Sequence, residues 1–319
     1  VDRRKKFPAT TLMRVFGLST DEEILAAFEG ESKEVKEFIL NTLERDSTKS
    51  KEQALVELYQ KLRPGEPVVL ENAYALANNM FFNYRRYNLG KVGRFKINKR
   101  LGLTIPNVKE NWVLTPQDIV ATIKCLLNLQ NGQGKVDDID HLANRRVKRV
   151  GELVAEHAFR VGLLRLERVV KEKMSLFSTD EKVTPSQVIN PRPLIAALNE
   201  FFRTNQLSTI LDQTNPLSEL DNLRRLSVMG PGGITRERAS FSIRDINASQ
   251  YGRICPIRSP EGPNIGLVTY LALYARINEY GFLETPYRRV EKVEINGKIR
   301  MKVTDEIVYL PADDEQEHY

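Results

Sequence analysis

The sequence predicts an α+β protein of several subdomains: a mostly helical first half, then a loop- and strand-rich second half. Apolar residues recur at helical spacing as far as about Arg203, and turn residues and short runs take over beyond it. Near the end, Val293-Glu-Ile295-Asn-Gly-Lys-Ile299-Arg-Met301 alternates around Asn296-Gly297, two residues that tolerate the positive φ of a tight hairpin. No internal repeat is visible.

The elements follow in order. Apolar spacing predicts helices over Thr20 to Phe28 and Glu34 to Leu43. Ser50 is placed to cap a helix reaching Leu62, with Gln53 at the capping-box position. Arg63-Pro-Gly-Glu-Pro67 stops it, because proline lacks the donor and restricts the residue before it. Thr115-Pro116-Gln117-Asp118 starts another helix, with Thr115 as cap and Pro116 in the first turn. It should reach about Leu129, and Asn131-Gly-Gln-Gly134 breaks it. A long helix is expected from about Gly151 to Met174. Leu153, Val154, Ala158, Val161 and Leu164 form its apolar stripe, and Glu156–Arg160 and Glu167–Lys171 are pairs four residues apart. Phe177 to Pro193 reads as a connector and Leu194 to Phe202 as a short helix. The acidic tail from Asp313 to Glu317 is expected to be disordered or cut.

Composition narrows the function classes. A chain of 319 residues exceeds what one compact unit usually needs, and 41% hydrophobic residues suffice for a core. No apolar run approaches membrane-spanning length. The formal charge of +6 favours an anionic partner. The chain opens at Val1 with the basic run Arg3-Arg4-Lys5-Lys6 and no apolar stretch after it, as expected of a piece of a longer chain without a signal peptide. Cys125 and Cys255 stand far apart, which suits a reducing, cytosolic compartment. The histidines are His141, His157 and His318, with no CxxC or HExxH, so a zinc site is not expected.

Four stretches carry possible chemistry. Tyr84 to Arg100 holds Arg85, Arg86, Lys91, Arg94, Lys96, Lys99 and Arg100 with no acid, interleaved with Tyr84, Tyr87 and Phe95. Gly90 and Gly93 would let the backbone approach a partner. Phosphate neutralisation by such a run drives sequence-independent binding; a solvated charged face over two core aromatics reads equally well. In Val136 to Gly151, Asp138 and Asp140 have D-x-D spacing. A hard cation wants more oxygen ligands than this, so loop-closing acids paired with Arg145 and Arg146 are preferred over a metal site. A third reading is an acid and an arginine framing a base edge. In NPLSELDNLRRLSVMGPGGITRERASF, Arg224, Arg225, Arg236 and Arg238 flank Gly-Pro-Gly-Gly. It is not a P-loop, since GK[ST] is missing. Glycines here suit either a mobile surface turn or a loop pressed against a polyanion. In YGRICPIRSPEGPNIGL, three prolines and bending glycines suggest the wall of a site, with Glu261 and Asn264 polar among apolar neighbours. Ser227, Ser259 and His141 have no triad context.

These last stretches, together with QLSTILDQTNPLSELDNLRRLSVMGPGGITRERASF, NEYGFLETPYRRV, KLRPGEP, DDIDHLANRR, RVGELVAEHAFRVGLLRLER and VDRRKKFPAT, resemble the β-subunit family of bacterial multisubunit DNA-directed RNA polymerases. The resemblance runs from Val1 to about Leu310 and covers a middle section of that subunit. It implies a layout: 1–140 similar to part of the β lobe, 141–205 to the returning half of the protrusion, and 206–319 to the fork and rifamycin-pocket region with its C-terminal hairpin. Through it, Arg236 and Arg238 are implied to meet DNA where the strands separate, Arg238 near the template. Asp140 and Arg145 match a pocket for an unpaired non-template guanine, which raises the base-edge reading above metal. Glu261 and Asn264 would lie beside nascent RNA.

The resemblance also implies a rifamycin pocket at Gln206, Leu207, Ser208, Thr209, Ile210, Asp212, Asn222, Arg225, Ser227, Met229, Pro260, Glu261 and Asn264. Thr209 stands where the family usually has glutamine and Asn222 where it has histidine, so weakened rifamycin inhibition is expected. Ile210 and Met229 are milder changes, and Arg258 replaces a usual acid. By the same resemblance, the piece has no catalytic or metal-binding residue and is inactive alone. Nucleotidyl transfer belongs to an assembly with β′, which holds Mg2+, the α dimer, ω and sigma factor, acting on template and non-template DNA and nascent RNA in the cytoplasm with the nucleoid and at no membrane. The rival class is a stand-alone nucleic-acid or transcription-factor binding module.

Overall fold

The structure, a computed structural model, describes residues 6–177, 183–295 and 298–318. It is α+β and divides into two compact units, Val1–Asp137 and Asp138–Tyr319. The opening basic run before Lys6 lies outside the described residues.

The first unit is helical: α1 (Ala9–Val15), α2 (Asp21–Ala27), α3 (Lys33–Arg45), α4 (Lys51–Leu62), α5 (Leu70–Ala77), α6 (Gly90–Leu101) and α7 (Pro116–Gln130). The caps do the expected work. Ser50 Oγ accepts from Gln53 N, and Thr115 and Asp118 cap one another reciprocally at the start of α7. Gln53 itself accepts from Lys49 N, one residue before the cap. Two apolar clusters form, and α1 serves both. Val15 packs with Leu55, Leu58 and Ala73. Met13 packs with Ile24, Phe28, Val35 and Ile39. Between them lies Arg14, fully buried, donating to Ser19 O at 2.7 Å and pairing with Asp21. Asp46 is buried beside it. Burial pushes its carboxyl up, but hydrogen bonds from Thr10 and Thr48 together hold it below the usual range.

The basic stretch is partly structural. Most of it is α6, and Arg94 is fully buried rather than offered to a phosphate. It donates to Asp118 at 2.6 Å, Asn111 O at 2.7 Å and Val113 O at 2.6 Å, tying α6 to α7. Gly93 lies inside the helix, against Leu89, not at an open backbone. Arg100 reaches Lys135 O and Asp137. Arg85 and Arg86 are exposed and form no ion pair among the described residues.

In the second unit, α8 (Val150–Val154) runs through one π-turn (Ala155–Phe159) into α9 (Arg160–Leu176). The π-turn inserts a residue into the helical count. Glu156 therefore meets Lys148 at 2.7 Å instead of Arg160, and Leu164 swings to 58% exposure. Buried Gly162 takes its place in the stripe, where a Cβ would stand 3.1 Å from Leu194 Cα. Glu167–Lys171 forms as expected at 2.6 Å. The expected connector contains a short helix, α10 (Pro185–Val188), and α11 (Arg192–Thr204) is longer than predicted. Then come α12 (Pro216–Leu223), β1 (Arg225–Ser227), α13 (Phe241–Arg244), β2 (Val268–Tyr270), β3 (Arg276–Ile277), β4 (Leu283–Ile295), β5 (Lys298–Pro311) and α14 (Ala312–Glu317). β1 and β2 pair antiparallel, and β3-β4-β5 form a second antiparallel sheet. The predicted hairpin is thus present and longer than its signal; its turn, Asn296-Gly297, lies outside the described residues.

The acidic tail is not disordered. Asp313, Asp314 and Glu315 occupy the first turn of α14, where carboxylates meet the positive end of the helix dipole. Glu315 pairs with Arg253 at 2.6 Å. Arg253 is fully buried and donates to Ser249 O at 3.1 Å, Leu283 O at 3.1 Å and Leu310 O at 2.8 Å. It joins β4, β5 and α14 beside the cluster of Leu142, Ile254, Leu283 and Ala312. Burial, then the nearby Glu315 carboxylate, push the Tyr287 hydroxyl up to about 12.

Candidate nucleic-acid interface

The four arginines of the Gly-Pro-Gly-Gly stretch separate into two kinds. Arg224 is structural: its guanidinium donates to the carbonyls of Leu271 at 3.4 Å, Ala272, and Leu273 at 3.2 Å. Arg225 lies 5.9 Å over the Tyr270 ring, its cross-strand partner. Arg236 and Arg238, on a single 3-10 turn, are exposed and make no ion pair among the described residues.

The turn before them is closed onto β1. Gly233 N donates to Gly230 O at 2.9 Å and Ile234 N to Val228 O at 3.0 Å. Gly230 has φ +102°, and a Cβ on Gly233 would stand 2.3 Å from Val228 O. Only glycine fits either place. Leu207 packs on Gly230 so closely that a Cβ there would be 2.7 Å away. Gln206 Nε2 lies 3.9 Å from Met229 Sδ, and Ser227 Oγ accepts from Met229 N at 3.2 Å. Ser208 donates to Phe201 O at the end of α11. Asn264 O accepts from Leu267 N and Val268 N, and Ser227 pairs with Val268 in the sheet. Gln206, Leu207, Ser227, Met229 and Asn264 are thereby gathered around β1 and β2. Thr209, Ile210 and Asp212 lie exposed before α12, Ile210 at 93%. Pro260 is half-buried and Glu261 exposed. The side-chain oxygens of Asn222 and Asn264 are buried and lack hydrogen-bond partners among the described residues.

Arg258 pairs with Asp221 of α12 at 3.2 Å and lies 4.9 Å over Tyr270. It links α12 to the 255–264 loop. Sequence reasoning noted the residue without finding its partner, which lies far away in the chain. Exposed pairs contribute ~0.2–1 kcal/mol. Arg258→Asp or Asp221→Arg alone is expected to destabilise, and the double exchange to recover most of the loss. Additive losses in a double-mutant cycle of urea unfolding would disprove the link.

The D-x-D acids close their own loop. Asp138 accepts from Asp140 N at 2.9 Å and Asn247 Nδ2 at 2.9 Å, and the Asp140 amide, then Asn247, hold its carboxyl below the usual range. Asp140 stands 3.8 Å from Arg145, whereas Arg146 turns to Glu152 at 3.1 Å rather than to an acid of this loop. Among the described residues, no three of His, Cys, Asp and Glu come together as a metal would need. Leu142 N donates to Ser249 Oγ, and His141 bonds within the loop and to α14; sequence reasoning considered His141 only as a triad member.

Two family models match: "RNA polymerase Rpb2, domain 2" over residues 1–148 and "RNA polymerase Rpb2, domain 3" over residues 209–277. A DNA-directed RNA polymerase subunit beta of Syntrophomonas wolfei is 51% identical across 100% of this chain and 28% of its own length. The chain belongs to the RNA polymerase β-subunit family. The subunit beta of Gloeobacter violaceus is 50% identical over 99% of this chain and 27% of its own length. That of Dehalococcoides mccartyi is 51% identical over 96% and 24%. This β-family chain thus spans about a quarter of the length of the curated relatives it matches. The first model ends beyond Arg145, and the second takes in Arg236, Arg238 and the orphan oxygens of Asn222 and Asn264.

Proposed function

We propose that this chain lines the active-site cleft of a multisubunit DNA-dependent RNA polymerase, where it positions the separated DNA strands and nascent RNA. The observation that carries the proposal is the closed glycine turn that presents Arg236 and Arg238 to solvent, with no carboxylate neutralising either among the described residues. A duplex or fork phosphate supplies the missing counter-charge. Arg238 meets the template, Asp140 with Arg145 frames an unpaired non-template guanine, and Glu261 and Asn264 lie along the RNA. The layout is lobe over 1–140, protrusion over 141–205 and fork over 206–319. Nucleotidyl transfer belongs to the assembly with β′, α, ω and sigma factor, in the cytoplasm beside the nucleoid. Magnesium is held there by β′, and this chain contributes position and charge.

The test is assembly of this chain with the complementary β segments, β′ and α, followed by primer extension. RNA synthesis supports the reading; a chain that binds DNA without ever assembling would make it a stand-alone module. In the assembled enzyme, Arg236→Ala and Arg238→Ala should each lower fork-DNA affinity similarly for all sequences. Each should also reduce the slope of log K against log salt by about 0.9. An unchanged slope would remove that residue from the phosphate contacts.

Rifamycin binding belongs to the same reading. Each hydrogen bond regained contributes ~0.5–1.5 kcal/mol. Thr209→Gln with Asn222→His is therefore expected to sharpen rifampicin inhibition of primer extension, by roughly 5-fold or more. Equal dose–response curves for parent and double variant would rule out those roles.

A further inference from the structure

We propose that His141 is a positioning residue for the Asp140–Arg145 site: its neutral imidazole ties the loop carrying both residues to α14, and protonation releases it. This rests on the base-edge reading above.

The ring is held at both nitrogens. Ala143 N donates to His141 Nδ1 at 3.1 Å, so Nδ1 carries no proton. The proton of the neutral ring is therefore on Nε2. The Gln316 carboxamide nitrogen lies 2.7 Å from that Nε2. Two donors do not face one another, so we assign the amide the reversed orientation, with its oxygen accepting from the ring. A single tautomer of the neutral side chain thus satisfies both contacts. Leu142, immediately next, is buried and donates its amide to Ser249 Oγ at 3.0 Å, so the loop is pinned on either side of His141. Asp140 precedes it and Arg145 follows at the end of the same turn, 3.8 Å apart.

Protonation puts a hydrogen on Nδ1, facing the Ala143 N–H. The contact becomes donor against donor and the turn opens. Asp138, on the same loop, is the carboxylate whose field His141 shares. From the 247–249 turn come Asn247 and Ser249, both neutral. From α14 comes Gln316, flanked by Glu315, which is turned to Arg253, and by Glu317.

The experiment uses the complete assembled polymerase and two DNA scaffolds that differ only in one unpaired non-template base, guanine or thymine. Dissociation rates are measured at about pH 7.5 and about pH 5.5. A base-edge contact gives about a 5-fold or larger guanine preference; it should persist at the higher pH and shrink toward unity at the lower. His141→Asn keeps an acceptor for the amide two residues on, as in an Asx turn, and does not titrate. It should hold the preference at both pH values, whereas His141→Phe should lose it at both. Hydrogen exchange of the 138–146 loop, corrected for the intrinsic pH dependence, reads the tether without DNA. Protection should fall in acid for the parent and not for His141→Asn. Protection or preference that ignores pH in the parent, or that titrates equally in His141→Asn, overturns the proposal. Should the loop respond while no guanine preference exists at either pH, as in Asp140→Ala, it is the base-edge reading that falls, and the positioning role with it.

Discussion

Arg253→Met is expected to destabilise the second unit by about 3–5 kcal/mol, the cost of breaking a buried ion pair from one side. The substitution keeps volume and removes the planar fork. Ser249 O, Leu283 O and Leu310 O lose their donor, and Glu315 loses its cation at 2.6 Å. An unpaired buried acceptor or charge costs more than the interaction contributed. Since domains are stable by only about 5–15 kcal/mol, most of the margin goes. Arg253→Lys should rescue little, because one ammonium does not span carbonyls arrayed around a guanidinium. The measurement is urea unfolding together with hydrogen exchange of β4, β5 and α14. A midpoint unchanged from the parent, or exchange faster only in α14, would show that Arg253 is peripheral.

The second large effect is expected at Gly266. Its φ is +71°, and an added Cβ would stand 2.4 Å from Arg244 O and 2.5 Å from Arg244 Cα. Both atoms are backbone, so neither can rotate away. Gly262 supplies the comparison: φ is +85°, but nothing lies within 4 Å of the added carbon. Gly262→Ala should cost only the left-handed strain, about 1–2 kcal/mol. Gly266→Ala should cost that and the displacement of the loop. Arg244 holds Pro263 O at 2.8 Å and Ile265 O at 2.9 Å, so Asn264 between them must move. In the assembled enzyme, RNA extension should fall further for Gly266→Ala than for Gly262→Ala. Equal losses would mean that the approach to Arg244 does not set the loop.

Much of this was legible in the chain, and what was not has physical causes. Ser50 and Thr115 announced α4 and α7 because a cap is a local event. Asn215-Pro216 obeys the same grammar, with Asn215 accepting from Ser218 N, and α12 was there to be read. α6 lacked an apolar stripe: what it buries fully is Arg94, and periodicity does not register a buried guanidinium. The π-turn leaves no mark in a pattern counted at a fixed period, so that pattern misplaces Glu156 and Leu164. Charge alone reads the acidic tail as unstructured, because it takes no account of the helix end that these carboxylates meet.

The site shows the same divide. Charge density singled out Arg224, Arg225, Arg236 and Arg238 together. Arg224, bound to carbonyls of 271–273, and Arg225, lying over Tyr270, stand apart from the solvent-facing Arg236 and Arg238 because of a segment that no local pattern connects to them. Asp140 and Arg145 are close enough in sequence for their pairing to be foreseen. Arg258 and Asp221, and His141 and Gln316, are not.

One helix of the first unit has a thermodynamic consequence. α1 gives Val15 to one apolar cluster and Met13 to the other, with buried Arg14 between them. Neither cluster can lose α1 without the other losing its wall. Partial melting would open both and strand a buried cation, so intermediates with one half intact are disfavoured. The two clusters are joined into one cooperative transition by a single short helix.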